Sequence, residues 1–418
     1  MNILPIENKP LILNNNDFQT IQVKVIFPYE KNENDIALSN ILPSVINGVN
    51  NTYRTEEEFS LQFEKLYLLG MYLNRTIIGT TYAYVYSLII PDTYSLNKDI
   101  LEEQFKFFGD FIYNPKKDNN KFCEFEVNRE INNLKLEISD FYKNNILYHS
   151  IKNKQIVDDE GILSSTLFNH TEQVNNINTS ILYQLYLDSI YNNKPAIFVM
   201  GNVDNNKINK LCDKYLYRNK FNSYRYETNI RHYLKPKDNI TEITEKSNFN
   251  NSIIAYNYIV KNMTEKDEIY LSIIGKLLSS SSSRILYKKL RDENDLVYNT
   301  SAEVCSKFGL LTIYAAINHK NLNQVKEKII ESIDELKNID IINKGLVNIK
   351  EKERVGLLRL LDNKNSLFYD YIKDKLNIDY NSHEYYELIC NINSNDIVKF
   401  VDRLVLDSIY YLKEKDYE

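Results

Sequence analysis

Apolar residues recur along this chain with two periods, and the order of those periods is repeated once. Thr55-Glu56-Glu57-Glu58 offers a capping box, in which the Thr oxygen and the Glu carboxylate each satisfy a free N–H at a helix start. Phe59, Phe63, Leu66 and Tyr67 follow at helical spacing. The runs 71–78 and 82–90 then read as strands. In the second, Tyr82, Tyr84, Tyr86, Leu88 and Ile90 fall on one face, as a period of two requires. Leu101, Phe105, Phe108 and Ile112 line one stripe of a further helix.

The second half follows the same order. A helix ends near Arg291. Strands are expected over 296–304 and 308–317, around a turn at Ser306-Lys307-Phe308-Gly309, and Leu322, Val325, Ile329, Ile333 and Leu336 share a helical face. Strand start to helix start covers the same distance in both halves, since 71 to 97 and 296 to 322 each differ by 26. Each half has a leading strand (20–28 and 251–259) and a helix after it (36–47 and 265–278), the second opened by Thr264-Glu265-Lys266-Asp267. Long helices close each half, over 121–143 and 180–191, then 342–362 and 394–406. The stretch 220–245 is polar, holds Pro236 and has no clear period, so it reads as a linker. These patterns predict an α+β chain of two homologous domains, 1–220 and 246–418, joined by 221–245. Each domain is expected to be an antiparallel or mixed sheet flanked by helices.

Composition narrows the function classes. The chain has 418 residues, too many for one ordinary domain, and 43% are apolar, enough for real cores. With 51 basic and 57 acidic residues the net charge is −6, which argues against a nucleic-acid partner. Cys123, Cys212, Cys305 and Cys390 lie far apart with no CxxC, as expected of reduced thiols in a cytoplasmic protein. The first residues carry neither a basic nor an apolar signal region, and the apolar runs are too short to span a membrane. No signal peptide and no membrane partner are expected.

The candidate chemistry centres on Leu290-Arg291-Asp292-Glu293-Asn294-Asp295-Leu296-Val297-Tyr298. A basic helix runs into a polar turn and a strand with Tyr at its head, so Arg291 and Tyr298 can point into one cavity. The structural alternative has Arg291 capping its helix and pairing with Asp292 or Glu293, and Tyr298 in the strand core. The five histidines, His149, His170, His232, His319 and His383, are scattered, and no His-x-x-Glu-His occurs. Glu130 and Glu137 stand seven positions apart, two helical turns, and so share a face; locally paired surface charges are the other reading. Neither a nucleotide loop nor a Gly-x-Ser-x-Gly elbow is present.

This order of elements, together with Ser279 to Ser283, the helix Arg284 to Arg291 and Tyr298, resembles the insulinase/pitrilysin family of zinc metallopeptidases. The resemblance covers nearly the whole chain, with Ser in place of Gly in the small-residue run. It implies two homologous domains forming half of a clam-shell that encloses peptides. Active members bind zinc through His-x-x-Glu-His, with the Glu as base. The equivalent segment here is Asn40-Ile41-Leu42-Pro43-Ser44: neither Asn40 nor Ser44 replaces an imidazole, and Pro43 has no carboxylate. Glu137 matches the third zinc ligand as a relic. The resemblance therefore implies a non-catalytic subunit with no metal of its own. Its partner would be a homologous subunit carrying His-x-x-Glu-His and zinc, and its substrate a peptide or small protein. Arg291 would hold a substrate carbonyl and Tyr298 would donate to the developing oxyanion. Ser281, Ser282 and Ser283 would touch substrate, and Tyr84, read on an edge strand, would help bind a peptide by strand addition. A Tyr-rich face packed under helices is the other reading of Tyr84. A peptide-binding or assembly protein with no role in hydrolysis is the other reading of the chain.

Overall fold

The computed structural model describes residues 9–29, 35–79, 81–92, 98–164, 166–191, 194–217, 230–280 and 284–415. The first half holds strands β1 (Leu11–Asn14), β2 (Thr20–Tyr29), β3 (Gly70–Ile78), β4 (Thr81–Pro91), the short pair β5 (Lys117–Asp118) and β6 (Lys121–Phe122), and β7 (Ala196–Gly201). Its helices are α1 (Ile36–Ile46), α2 (Glu56–Lys65), α3 (Leu101–Tyr113), α4 (Glu124–Phe141), α5 (Asn145–Val157), α6 (Thr179–Tyr191) and α7 (Asn205–Tyr215). The second half holds β8 (Thr241–Lys246), β9 (Ser252–Val260), β10 (Val297–Cys305), β11 (Leu310–Ile317) and β12 (Leu404–Lys413). Helix α8 (Asp267–Gly275) continues as a wider turn over Lys276–Ser280, and α9 (Ile285–Tyr287) does the same over Lys288–Asp292. Helices α10 (Leu322–Glu335), α11 (Ile339–Asp362), α12 (Lys364–Leu376), α13 (Ser382–Cys390) and α14 (Ser394–Val401) complete the chain.

The duplication read from spacing is present in the strand pairing. Sheet one runs β1-β7-β2-β4-β3 and sheet two β8-β12-β9-β11-β10, the same order with the same senses. Among the described residues only β1 with β7 and β8 with β12 pair in parallel. The box at Thr55 and Glu58 is complete in both directions. Tyr84, Tyr86, Leu88 and Ile90 are all buried on one face of β4. Two expectations change. The run 394–406 is helical only to Val401 and then becomes β12, an inner strand of sheet two. Residues 241–245, read as linker, form most of β8.

Compactness divides the chain differently from contiguous halves. One unit comprises 1–138, 166–229 and 363–380; the other comprises 139–165, 230–362 and 381–418. Each unit thus takes one helix from the opposite half of the sequence. In the first, Phe368, Ile372 and Leu376 of α12 cover the face of sheet one formed by Ile26, Val85, Phe198 and Met200. In the second, α5 lies on sheet two through polar groups. Asn153 and Asn257 exchange amide hydrogen bonds at 2.9 and 2.8 Å, and Thr312 donates to the Asn257 oxygen at 2.9 Å. His149 stacks on Tyr410 with ring centres 4.7 Å apart. Glycine is required where α8 meets the outer strand: a Cβ on Gly275 would sit 2.6 Å from the Val304 side chain. Among the described residues no helix is long and apolar enough to cross a membrane.

Burial pushes the His149 pKa down to about 3. The folded state therefore holds a neutral imidazole, while the unfolded chain takes up a proton near pH 6.5. Stability is greatest above that pH and falls as pH drops toward 3, by about 1.4 kcal/mol per unit, or about 2 kcal/mol at pH 5. Urea unfolding of the natural chain and His149→Phe at pH 7.5 and pH 5 tests this. The variant should lose less stability on acidification by roughly that amount; equal losses would refute it.

Candidate functional site

The segment from Leu290 to Tyr298 is built by a helix end, a left-handed turn and a bulge. The turn over Lys288–Asp292 closes with Asp295 at φ 48°, and the Asp295 and Leu296 N–H groups donate to the Arg291 and Leu290 carbonyls at 2.9 and 2.8 Å. Leu290, Leu296 and Val297 are buried and anchor the turn. Strand β10 is the outer strand of sheet two, and its pairing with β11 slips at its start: Val297 faces Ile317 and Asn299 faces Ala316. Tyr298 is the extra residue of that bulge. A bulge leaves one residue outside the ladder and turns its side chain. The Tyr298 ring accordingly stands 54% exposed, and its carbonyl accepts from Arg291 Nη1 at 2.6 Å. The guanidinium also lies 5.6 Å from the Tyr287 ring centre.

The structure therefore brings Arg291 and Tyr298 into direct contact, by the Tyr main chain. Neither structural alternative holds. Tyr298 is not in the strand core, and Arg291 makes no ion pair with Asp292 or Glu293; Lys288 faces Glu293 at 3.6 Å. Among the described residues the Tyr298 hydroxyl has no hydrogen-bond partner. Ser281, Ser282 and Ser283 lie outside the described residues.

Asn40, Pro43 and Ser44 lie on α1. Pro43 has no N–H, so the Ser39 carbonyl loses its partner within the helix. Tyr84 fills the gap, its hydroxyl donating to that carbonyl at 3.4 Å. Tyr84 is only 1% exposed, on an inner strand, and stacks on Tyr29 at 4.6 Å. Burial holds its phenol well above the usual range, so it remains a donor. The edge-strand expectation for Tyr84 is thus overturned: β3 is the edge, and Tyr84 belongs to the Tyr-rich face under the helices.

These residues do not fit a zinc ion. The Asn40 amide is engaged at both ends, its nitrogen donating to the Ile36 carbonyl at 2.7 Å and its oxygen accepting from Arg75 Nη1 at 3.3 Å. A fixed guanidinium beside the first motif position repels a second cation. Ser44 is exposed and Pro43 has no proton acceptor. On α4, Glu130 is tied to Arg129 at 2.7 Å and Asn133 at 3.0 Å, while Glu137 is exposed. No group of three or more His, Cys, Asp or Glu among the described residues is placed to hold a metal. Arg75 was not singled out from the sequence; its only trace there is a charge inside the strand-like run 71–78.

Metal analysis of the purified chain is expected to find far less than one zinc per chain, and stoichiometric zinc would refute this account. Tyr298→Phe removes an exposed hydroxyl, so the unfolding free energy should change by less than about 0.5 kcal/mol. A larger loss would make the phenol a structural group.

Residues 182–351 match the family described as Peptidase M16 inactive domain. The chain is 22% identical over 408 residues to the probable inactive metalloprotease YmfF of Bacillus subtilis (strain 168), covering 96% of this chain and 95% of that one. Among solved structures, a conserved protein from Enterococcus faecalis V583 matches with a TM-score of 0.87 at 18% identity, covering 100% of both chains. A peptidase M16 inactive domain from Pseudomonas fluorescens matches with a TM-score of 0.73 at 11% identity, covering 100% of this chain and 99% of that one. Those structural likenesses establish the fold; the family match and the relative agree with the missing motif. This chain is thus similar to the insulinase/pitrilysin-type (M16) metallopeptidases, through the inactive-domain family over residues 182–351 and through YmfF over nearly its whole length, and it carries no His-x-x-Glu-His.

Proposed function

We propose that this chain is the non-catalytic subunit of a two-chain peptidase of this family. It completes a peptide chamber and lends Arg291 and Tyr298 to a homologous partner that carries His-x-x-Glu-His and zinc. One observation carries the reading: the bulge at the head of β10 exposes the Tyr298 phenol while Arg291 grips the Tyr298 carbonyl at 2.6 Å. An outward phenol fixed at its main chain is a preorganised donor, which is what oxyanion stabilisation requires. Arg291 then acts first by positioning Tyr298, with its remaining N–H groups free for a substrate carbonyl. Ser281, Ser282 and Ser283 contribute further substrate contacts. The two sheets carry the same strand order, with β8 at Thr241–Lys246 included in the second, as duplication of one unit would leave them. Free cysteines suit a cytoplasmic site of action.

One observation favours the second reading, a peptide-binding or assembly protein with no part in hydrolysis. Arg291 already spends an N–H on its own chain, so a local structural role accounts for that bond as well.

Peptide cleavage by the partner alone, by this chain alone and by the mixture separates the two. The mixture should be active and each chain alone inactive. Arg291→Ala and Tyr298→Phe should each lower kcat of the mixture about a hundredfold. Activity of the partner by itself, or a mixture indifferent to both substitutions, would sink the first reading in favour of the second.

A further inference from the structure

Arg75 stands on the outer strand of sheet one, directly opposite Tyr84. The face of that sheet turned toward α1 grades from sealed to open. The rung of Val25, Tyr86 and Leu73 is fully buried, as are Phe27 and Tyr84 in the next rung; Ile77, one rung further, is 52% exposed. The guanidinium therefore sits at the rim of the core, half-buried. Nε donates to the Tyr29 hydroxyl at 2.6 Å, Nη1 donates to the Asn40 amide oxygen at 3.3 Å, and the group lies 4.9 Å from the centre of the Tyr82 ring.

All three partners are neutral. Among the described residues Arg75 has no carboxylate partner. The other part-buried arginines among the described residues have one: Arg54 has Asp118, Arg231 has Glu265 and Glu268, and Arg403 has Asp267. Lys24 and Lys364 also lack one, but burial lowers their pKa, to about 8 for Lys364, which eases the cost of burying charge. An arginine has no such relief, because it keeps its proton. It presents five N–H donors, of which two are used. A half-buried charge with a rigid fork and unused donors is arranged to receive an anion.

We propose that Arg75, held by Tyr29, Asn40 and Tyr82, is a receptor for a peptide carboxylate. A single guanidinium matches a single carboxylate in charge and in planar geometry. A polyphosphate would call for several cations, and the chain's charge of −6 disfavours one. A peptide is the bearer because Arg75 lies on β3, which among the described residues pairs only with β4 and has no strand on its other edge, where one can be added. The guanidinium stands beside the helix position where the family's first zinc-binding histidine is expected, so a cation built into the chain takes over the recognition of an oxygen anion there. This site belongs to the chain alone, and its failure would leave the reading of Arg291 and Tyr298 untouched.

The chain contains no tryptophan, so a peptide bearing one reports binding by its own fluorescence. The probe is an acetylated alanine-glycine peptide with one tryptophan, as the free acid and as the amide. The free acid should bind the full-length chain about tenfold more tightly or better. Arg75→Gln should bring the acid down to the affinity of the amide and leave the amide unchanged. Asn40→Asp should do the same by supplying an internal carboxylate to the guanidinium, and it decides the matter if Arg75→Gln fails to fold, as judged by circular dichroism. A third peptide, amidated but carrying one glutamate, separates the sources. Its tight binding assigns a side-chain carboxylate, while tight binding of the free acid alone assigns a chain terminus. Equal affinity of acid and amide, no binding up to millimolar peptide, or an acid preference that survives a folded variant would overturn the proposal.

Discussion

The inner strands of each five-stranded sheet are buried on both faces, and the rest of the structure follows from having to cover both. On sheet one, Val23, Val25, Tyr84, Tyr86 and Leu88 pack toward the helices of their own half, and Ile26, Val85, Phe198 and Met200 point the other way. An apolar face left in water costs roughly 25 cal/mol per Å². The second face is covered by a helix drawn from the other half of the sequence, α12 for sheet one and α5 for sheet two. That requirement makes neither half of the sequence a compact unit by itself.

The two coverings differ in chemistry. The α12 seam is mostly aliphatic and aromatic, whereas the α5 seam carries a closed set of amide and hydroxyl hydrogen bonds around Asn153 and Asn257, next to a buried imidazole. A fully satisfied polar seam admits one register, because any slip strands buried donors. It also places an acid-sensitive group in the second unit, since the cost of charging His149 falls on that contact.

On the functional side, two arginines sit on equivalent outer strands or just before them, and the environment gives each a different task. Arg291 is exposed and bonds to the carbonyl of a bulged residue, so it fixes a main chain and turns a phenol outward. Arg75 is half-buried among neutral groups and displaces the electrostatics that a metal would need. The absence of a zinc site is thus more than two missing imidazoles and a missing base. Pro43 has changed the hydrogen bonding of its helix, Tyr84 answers the orphaned carbonyl, and a guanidinium holds the first position. Restoring the motif by substitution alone would meet that cation.

The sequence by itself determined the local elements and their repetition. The Thr55 box, the alternating tyrosines of β4 and the equal spacing of strand and helix starts depend on near neighbours, and near neighbours are written in order along the chain. It also determined that zinc has no ligand set, because a residue type cannot be supplied by folding. Tertiary structure decided what depends on distant partners. The inner strands β7 and β12 escaped the periodic reading: the first is a short apolar run without alternation, and the second overlaps the end of a helical pattern. The edge position passed from Tyr84 to β3, because pairing order is a long-range property. The exchange of α5 and α12, the bulge that exposes Tyr298 and the neutral setting of Arg75 are likewise set by contacts between segments far apart in sequence. A period fixes which face a residue takes; only packing decides what that face meets.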